Sequence, residues 1–163
     1  MSDHQKLAES HPHLAALAGH WQGTTRTWFE PEKLTDESTW QGEFTLVLGG
    51  RFLLYTYQGS LQGEHLEGIA LLGYNLQRQR YEMAWVDSFH NDTAIMFSHG
   101  GAKDGPLNVL GSFPTGPDSP DWGWRTEVLP QENGDLIITH YGITPEGLEW
   151  KGVETIYKRF EAA

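Results

Sequence analysis

Residues 79–87 read Gln-Arg-Tyr-Glu-Met-Ala-Trp-Val-Asp, and polar and apolar side chains alternate along them. A period of two is the pattern of a β-strand that has one face toward a core. One face carries two charges and must meet water, so we predict that the opposite face points inward. That inward face consists of Tyr81, Met83, Trp85 and Asp87.

The same alternation recurs along the chain after Gly19. It predicts strands at 20–29, 38–48, 51–59, 64–74, 79–87, 92–99, 107–113, 122–130, 134–142 and 148–160. Short turn-like segments join them, which indicates antiparallel neighbours. Closing the sheet removes its exposed edges, so the sequence predicts an all-β, antiparallel barrel of about ten strands.

A short helix precedes the strands. Ser10 is a suitable cap, Pro12 suits the first turn, and Gly19 suits the end. A helix of about two turns needs support from other elements. We therefore expect one domain, 1–163, in which the helix of segment 1–19 plugs one end of a barrel formed by 20–160.

Composition excludes several classes of function. The chain has 163 residues, with 11 Lys and Arg against 22 Asp and Glu, for a formal charge of −11. Such a charge disfavours nucleic acids and anionic membranes as partners. The absence of cysteine excludes disulfides and thiolate sites. No apolar run approaches the roughly 18 residues of a spanning helix, and the start lacks an apolar signal core, so we expect a cytoplasmic protein.

A ten-stranded barrel has a wide interior, and aromatic cavities with a few polar groups are typical small-molecule sites. Strand 38–48 adds Trp40 and Phe44 to the inward face, and two later strands carry His99 and His140. The pattern leaves open whether Arg51, Tyr55 and Arg125 face in or out. The predicted ligand-binding residues are Trp40, Phe44, Tyr81, Met83, Trp85, Asp87, His99 and His140.

Several motifs together suggest a family. They are Leu48-Gly-Gly-Arg-Phe-Leu53, Tyr57-x-Gly59, Gly68-Ile-Ala-Leu-Leu-Gly-Tyr-Asn75, Tyr81-x-x-x-Trp85-x-Asp87 and Glu154-Thr-Ile-Tyr-Lys-Arg159. In this order and spacing the chain resembles the domain-of-unknown-function family numbered 1579. The resemblance implies a lipocalin-like, calycin-type barrel with a helix near one end. The family is uncharacterised, so it implies no catalytic residues.

The segment Leu17-Ala-Gly-His-Trp21 resembles the opening of calycin barrels, in which a Trp packs under an Arg of the last strand. Trp21 and Arg159 match these two positions. The resemblance therefore implies that they close the base of the barrel, through a cation–π contact worth about 0.5–2 kcal/mol.

The leading functional prediction is non-enzymatic binding of a small, apolar or amphipathic molecule, with no cofactor, metal or catalytic residue. The histidines show no metal-ligand spacing. One alternative is a heme protein of the nitrobindin type that uses His140 or His99. A second is an enzyme in which burial raises the pKa of Asp87, so that it acts as an acid or base. A dimerising barrel with a filled core also stays open.

Overall fold

The computed structural model describes residues 11–102 and 104–161. Within them a short helix, α1 (Pro12–Ala15), precedes a series of antiparallel strands. The predicted cap Ser10 lies outside the described residues. The strands are β1 (Gly19–Glu30), β2 (Lys33–Val47), β3 (Phe52–Leu61), β4 (Glu64–Asn75), β5 (Arg80–Asp87), β6 (Met96–Gly100), β7 (Leu107–Phe113), β8 (Trp122–Pro130), β9 (Leu136–Ile143) and β10 (Glu149–Arg159).

The strands form a closed barrel. Each strand pairs with the next along the chain, and β1 closes the ring by pairing with β10. Trp21 lies opposite Arg159 in that closing pair. The predicted all-β, lipocalin-like barrel of ten antiparallel strands is therefore confirmed.

Two strands begin far from the predicted residue, whereas the others begin within about two residues of it. β2 begins at Lys33, because a tight turn with Glu32 in the left-handed region (φ 63°) lets Lys33 pair with Glu30. β6 begins only at Met96, because the chain turns over residues 88–95 and Asp92 also has a positive φ of 53°.

The structure assigns the faces that the pattern left open. In β3, Leu53, Tyr55 and Tyr57 are buried in the interior. Arg51 is exposed, and Arg125 lies outside, where it donates hydrogen bonds to Glu149 and Glu127.

Helix α1 covers the end of the barrel at which β1 begins. Leu14 and Leu17 are buried there, and the indole N–H of Trp21 donates a hydrogen bond to the Leu17 carbonyl at 2.9 Å. The Arg159 guanidinium lies 4.3 Å from the centre of the Trp21 ring and donates to the carbonyls of Ala16 and Ala18. We call the opposite end, where β5 ends and β8 begins, the far end.

No helix among the described residues has the length and apolar character that crossing a membrane requires.

Candidate functional site

Four aromatic side chains meet inside the barrel toward the far end. Trp85 of β5 packs against Trp124 of β8 and His140 of β9, with ring centres 5.8 and 5.6 Å away and nearly parallel planes. Trp124 and His140 are 5.4 Å apart. His90, from the turn after β5, lies 5.6 Å from Trp85 and 5.9 Å from Trp124. We call these residues the four-ring cluster.

Asp87 lies beside this cluster, and its side chain is fully buried. Its Oδ2 accepts a hydrogen bond from the Tyr57 hydroxyl at 2.8 Å and pairs with His90 Nδ1 at 2.6 Å. Its Oδ1 accepts the backbone N–H groups of Phe89 and His90. The Trp85 indole N–H in turn donates to the Tyr57 hydroxyl at 2.8 Å. Both carboxylate oxygens are thus occupied by donors.

Gly68 makes the contact between Tyr57 and Asp87 sterically possible. It lies on β4 between the two, opposite Tyr57 on one side and Asp87 on the other. A methyl group at position 68 would overlap the Tyr57 ring and hydroxyl. The missing side chain therefore lets the Tyr57 ring lie across β4 and reach the carboxylate.

The hydrogen bonds of Asp87 decide its charge. Burial raises the pKa of Asp87, but the hydrogen bond and charge of His90 and the Tyr57 hydroxyl outweigh it, so the pKa lies below its usual value. The expectation that burial leaves Asp87 with a raised pKa is wrong, because the fold supplies four donors. Burial and the Asp87 charge raise the pKa of Tyr57, so its hydroxyl stays a neutral donor.

His140 is an uncharged member of the cluster. Loss of hydration between the indoles, and the proximity of His90, lower its pKa from 6.5 to about 3. Its Nδ1 shares a hydrogen bond with Thr126 Oγ1 at 2.8 Å, which fixes the ring. Across residues 11–102 and 104–161, no three His, Asp or Glu side chains converge as a metal site.

Three ring nitrogens of the cluster make no hydrogen bond with any described residue. The indole Nε1 of Trp124 is buried and has no hydrogen-bond partner in the part of the chain that the structure describes. His90 and His140 each use Nδ1, and their Nε2 atoms have no partner among the described residues. A buried donor without an acceptor costs about 1–3 kcal/mol. The cluster therefore presents polar atoms that have no hydrogen-bond partner among the described residues.

Four of the sequence-predicted residues are buried in the barrel but belong to ring pairs or packing of their own. Trp40 stacks on Tyr57 at 5.2 Å, so it is one ring away from Asp87. Three others pack elsewhere in the core: Phe44 stacks on Tyr55, Tyr81 meets Tyr74, and Met83 is buried on β5. The structure thus brings together only Trp85, Asp87 and His140 of the predicted set.

The inward placement of His99 is wrong. His99 is exposed on the outer face of β6, opposite Glu82 of β5. Met96 and Ser98 take the inward positions of this strand, with 8% and 0% of their surface exposed. The outer face here is apolar, since Phe97 is 52% exposed, and for this reason hydrophobicity does not mark the inner face.

The rim of the far end is apolar. Phe29 of β1 and Phe89 of the turn after β5 stack at 6.1 Å, and each is about half exposed. Trp122 and Trp150 meet edge to face at the starts of β8 and β10. A groove of about 600 Å³ lies along β2–β5, and it reaches the site because Tyr57, Gly68 and Asp87 are among the residues that line it. Apolar contact surface therefore borders the four-ring cluster.

Three residues of the site, His90, Trp124 and Tyr57, are not among those that the sequence pattern predicts. His90 lies three residues after Asp87 across a turn, and such spacing returns a side chain to the carboxylate. Trp124 lies on the same face of β8 as Thr126 and Val128, which point into the barrel. The sequence contains both of those signals. The contact of Tyr57 with Asp87 across Gly68 could not be predicted in this way, because it depends on the register of β3, β4 and β5.

Comparison with known proteins supports the fold. Among curated proteins, no sequence matches this chain. The crystal structure of Rv2717c from M. tuberculosis superimposes with a TM-score of 0.60 at 15% identity, over 91% of this chain and 95% of that one. The S-type phycobiliprotein lyase CPES from Guillardia theta has a TM-score of 0.53 at 13% identity, over 100% and 95%.

The sequence itself carries the family assignment. The model of one family, described as protein of unknown function (DUF1579), matches residues 6–159. This match includes every strand of the barrel and confirms the resemblance seen in the motifs. The chain therefore belongs to the DUF1579 family.

Proposed function

We propose that the protein binds a small, largely apolar molecule at the far end of the barrel, with a hydrogen-bond acceptor directed at the four-ring cluster. The unpartnered, buried Nε1 of Trp124 is the observation that carries this proposal. A carbonyl oxygen of a ligand satisfies that donor and removes its desolvation cost. The apolar rim around Phe29 and Phe89 supports contact with the ligand's apolar body.

A neutral ligand fits the charge of the protein better than an anion does. The chain carries a formal charge of −11, and Asp87 keeps its charge inside the site. His140 stays uncharged near neutral pH and contributes no compensating cation. We therefore propose ketones, amides or esters with an aromatic or aliphatic body as the class of ligand.

A matched pair of ligands tests the role of Trp124. 2-Acetylnaphthalene and 2-ethylnaphthalene have similar shapes, but only the first has a carbonyl group. We expect calorimetric titration to show that the ketone binds the wild type more tightly. Trp124→Phe should weaken ketone binding about tenfold, as loss of one hydrogen bond of about 1.4 kcal/mol does, and should leave the hydrocarbon unaffected.

Trp122→Phe is the control for that titration, because Trp122 lies on the same strand at the rim and is not part of the cluster. The ratio of its ketone affinity to its hydrocarbon affinity should equal that of the wild type, because a lost rim contact weakens both ligands alike. Saturable binding of neither compound to the wild type would show that the proposed function is wrong.

His140 favours heme binding as a second candidate function. Heme iron takes one neutral imidazole as its axial ligand, and a pKa of about 3 keeps His140 in that form. The hydrogen bond with Thr126 holds the ring as outer partners of ligating histidines do. However, Trp85 and Trp124 both pack on this imidazole, so the rings must separate before a macrocycle enters. This candidate therefore ranks second.

An absorbance titration with hemin tests the heme candidate. A histidine-ligated complex should give a sharp Soret band in the wild type and in His99→Ala, and His140→Ala should abolish it. An equal band in the His140→Ala protein would exclude this histidine as the ligand.

A further inference from the structure

The Asp87 carboxylate makes more hydrogen bonds than the turn that follows it requires. An Asp at a strand end often accepts backbone N–H groups two and three residues later, and Asp87 Oδ1 does so with Phe89 and His90. The second oxygen has a different role. Oδ2 holds the His90 ring at 2.6 Å and is itself held by the Tyr57 hydroxyl at 2.8 Å. The carboxylate thus fixes the orientation of one imidazole.

This arrangement fixes the tautomer of neutral His90. An ionised carboxylate only accepts hydrogen bonds, so the proton between the two groups belongs to His90 Nδ1. The lone pair of the neutral ring then lies on Nε2, which has no partner among the described residues. The His90 side chain is 16% exposed, whereas Asp87 has no exposure. A base is thus presented at the surface of the cluster while its orienting group stays buried.

The neighbouring ring supplies a complementary group. Trp124 lies 5.9 Å from His90, centre to centre, and its Nε1–H is a buried donor without an acceptor. A positioned base and a donor aimed at a developing oxyanion are what removal of a proton next to a carbonyl requires. No third reactant is needed for that step.

We propose that His90 is a catalytic base which removes a proton from the carbon next to the carbonyl of a small apolar ketone bound at the far end. The inference rests on the proposed function and names the reaction of the same site. The C–H bond breaks, its proton passes to His90 Nε2, and its electron pair forms the enolate, whose oxygen accepts the Trp124 N–H. Return of this proton to the conjugated carbon of an unsaturated ketone restores the base and yields the isomerised ketone. Return of a solvent deuteron that has replaced the proton on Nε2 to the original carbon yields the exchanged ketone. Asp87 is a positioning residue.

Deuterium exchange into 2-tetralone tests the step directly. This compact bicyclic ketone has acidic C–H groups beside its carbonyl, and proton NMR in D₂O follows the loss of their signals. We expect the wild-type protein to accelerate exchange above an equal concentration of free imidazole. His90→Gln should lower the protein-dependent rate at least about a hundredfold, which is the low end of what general bases typically contribute. The exposed His99→Gln variant is the matched control and should exchange like the wild type.

The test of Asp87 as a positioning residue must separate the orientation of His90 from a general loss of packing. Asp87→Asn should slow exchange while the calorimetric affinity for 2-tetralone stays within about twofold of the wild type. Tyr57→Phe, which removes one donor to the carboxylate and keeps the ring, serves the same purpose if Asp87→Asn fails to fold. Nitrogen-15 NMR should show neutral His90 protonated on Nδ1 in the wild type. A proton on Nε2 instead would overturn the proposal.

The outcomes separate this inference from the proposed function. If 2-tetralone binds the wild type but exchanges no faster than with His90→Gln, the base assignment is wrong and ligand binding stands. If the ketone does not bind at all, both proposals are wrong. Faster exchange that depends on His90 supports both.

Discussion

Replacement of Trp21 by alanine is expected to lower the free energy of unfolding by about 3–5 kcal/mol, the usual cost of removing a large buried aromatic side chain. Trp21 is 3% exposed, and its indole N–H holds the Leu17 carbonyl of the helical segment. The Arg159 guanidinium covers its other side and bonds to Ala16 and Ala18. The substitution therefore removes the packing that joins α1, β1 and β10. Urea denaturation followed by circular dichroism measures the change.

Trp122→Ala is the matched control, because it removes an indole from the opposite end, where Trp122 is only partly buried. We expect it to cost clearly less than Trp21→Ala. A Trp21→Ala protein destabilised by less than about 1 kcal/mol would contradict base closure.

The alternation of side chains predicts the barrel well because each strand has the core on one face and solvent on the other. The rule works in β5, where Tyr81 and Trp85 are buried and Arg80 and Glu82 lie on the outer face. It fails at β6, where Phe97 and, just before the strand, Ile95 are exposed although they are apolar. On this side of the barrel, hydrophobicity no longer distinguishes the two faces, and for that reason the prediction of His99 as a ligand-binding residue is wrong.

The site was only partly predictable for a different reason. Period-two arguments place residues on strands, and they predict that Trp85 and Asp87 face inward. They do not describe the turn in which His90 folds back on Asp87, where an Asn91 side chain bonds to the Trp85 carbonyl. Hydrogen bonds of a turn depend on backbone angles that the alternation does not encode.

The pKa of His140 leads to the second large expected effect, a loss of stability in mild acid. Burial between indoles and the nearby His90 lower the pKa from 6.5 to about 3 in the folded protein. Below pH 6.5 the His140 side chain therefore binds a proton in the unfolded chain, whereas in the folded protein it binds one only near pH 3. Stability is complete above pH 6.5 and falls as the pH approaches 3, by about 5 kcal/mol in total at about 1.4 kcal/mol for each unit of pKa shift.

The upper part of this range isolates the histidine from the carboxylates. Between pH 6.5 and 5 ordinary carboxylates remain ionised, and the lowered pKa of Asp87 keeps that group ionised as well. We expect the wild type to lose about 1.5 kcal/mol over this interval through His140. Urea denaturation at intervals of half a pH unit measures the slope.

Substitution of the histidine tests the cause. His140→Gln keeps a polar side chain near Thr126 and removes the titrating group, so its stability should change less than that of the wild type between pH 6.5 and 5. His99→Gln removes an exposed histidine and should retain the wild-type slope. If the slope survives in His140→Gln, another group binds the proton, and His140 is not the neutral imidazole on which the heme candidate and the charge argument for a neutral ligand both depend.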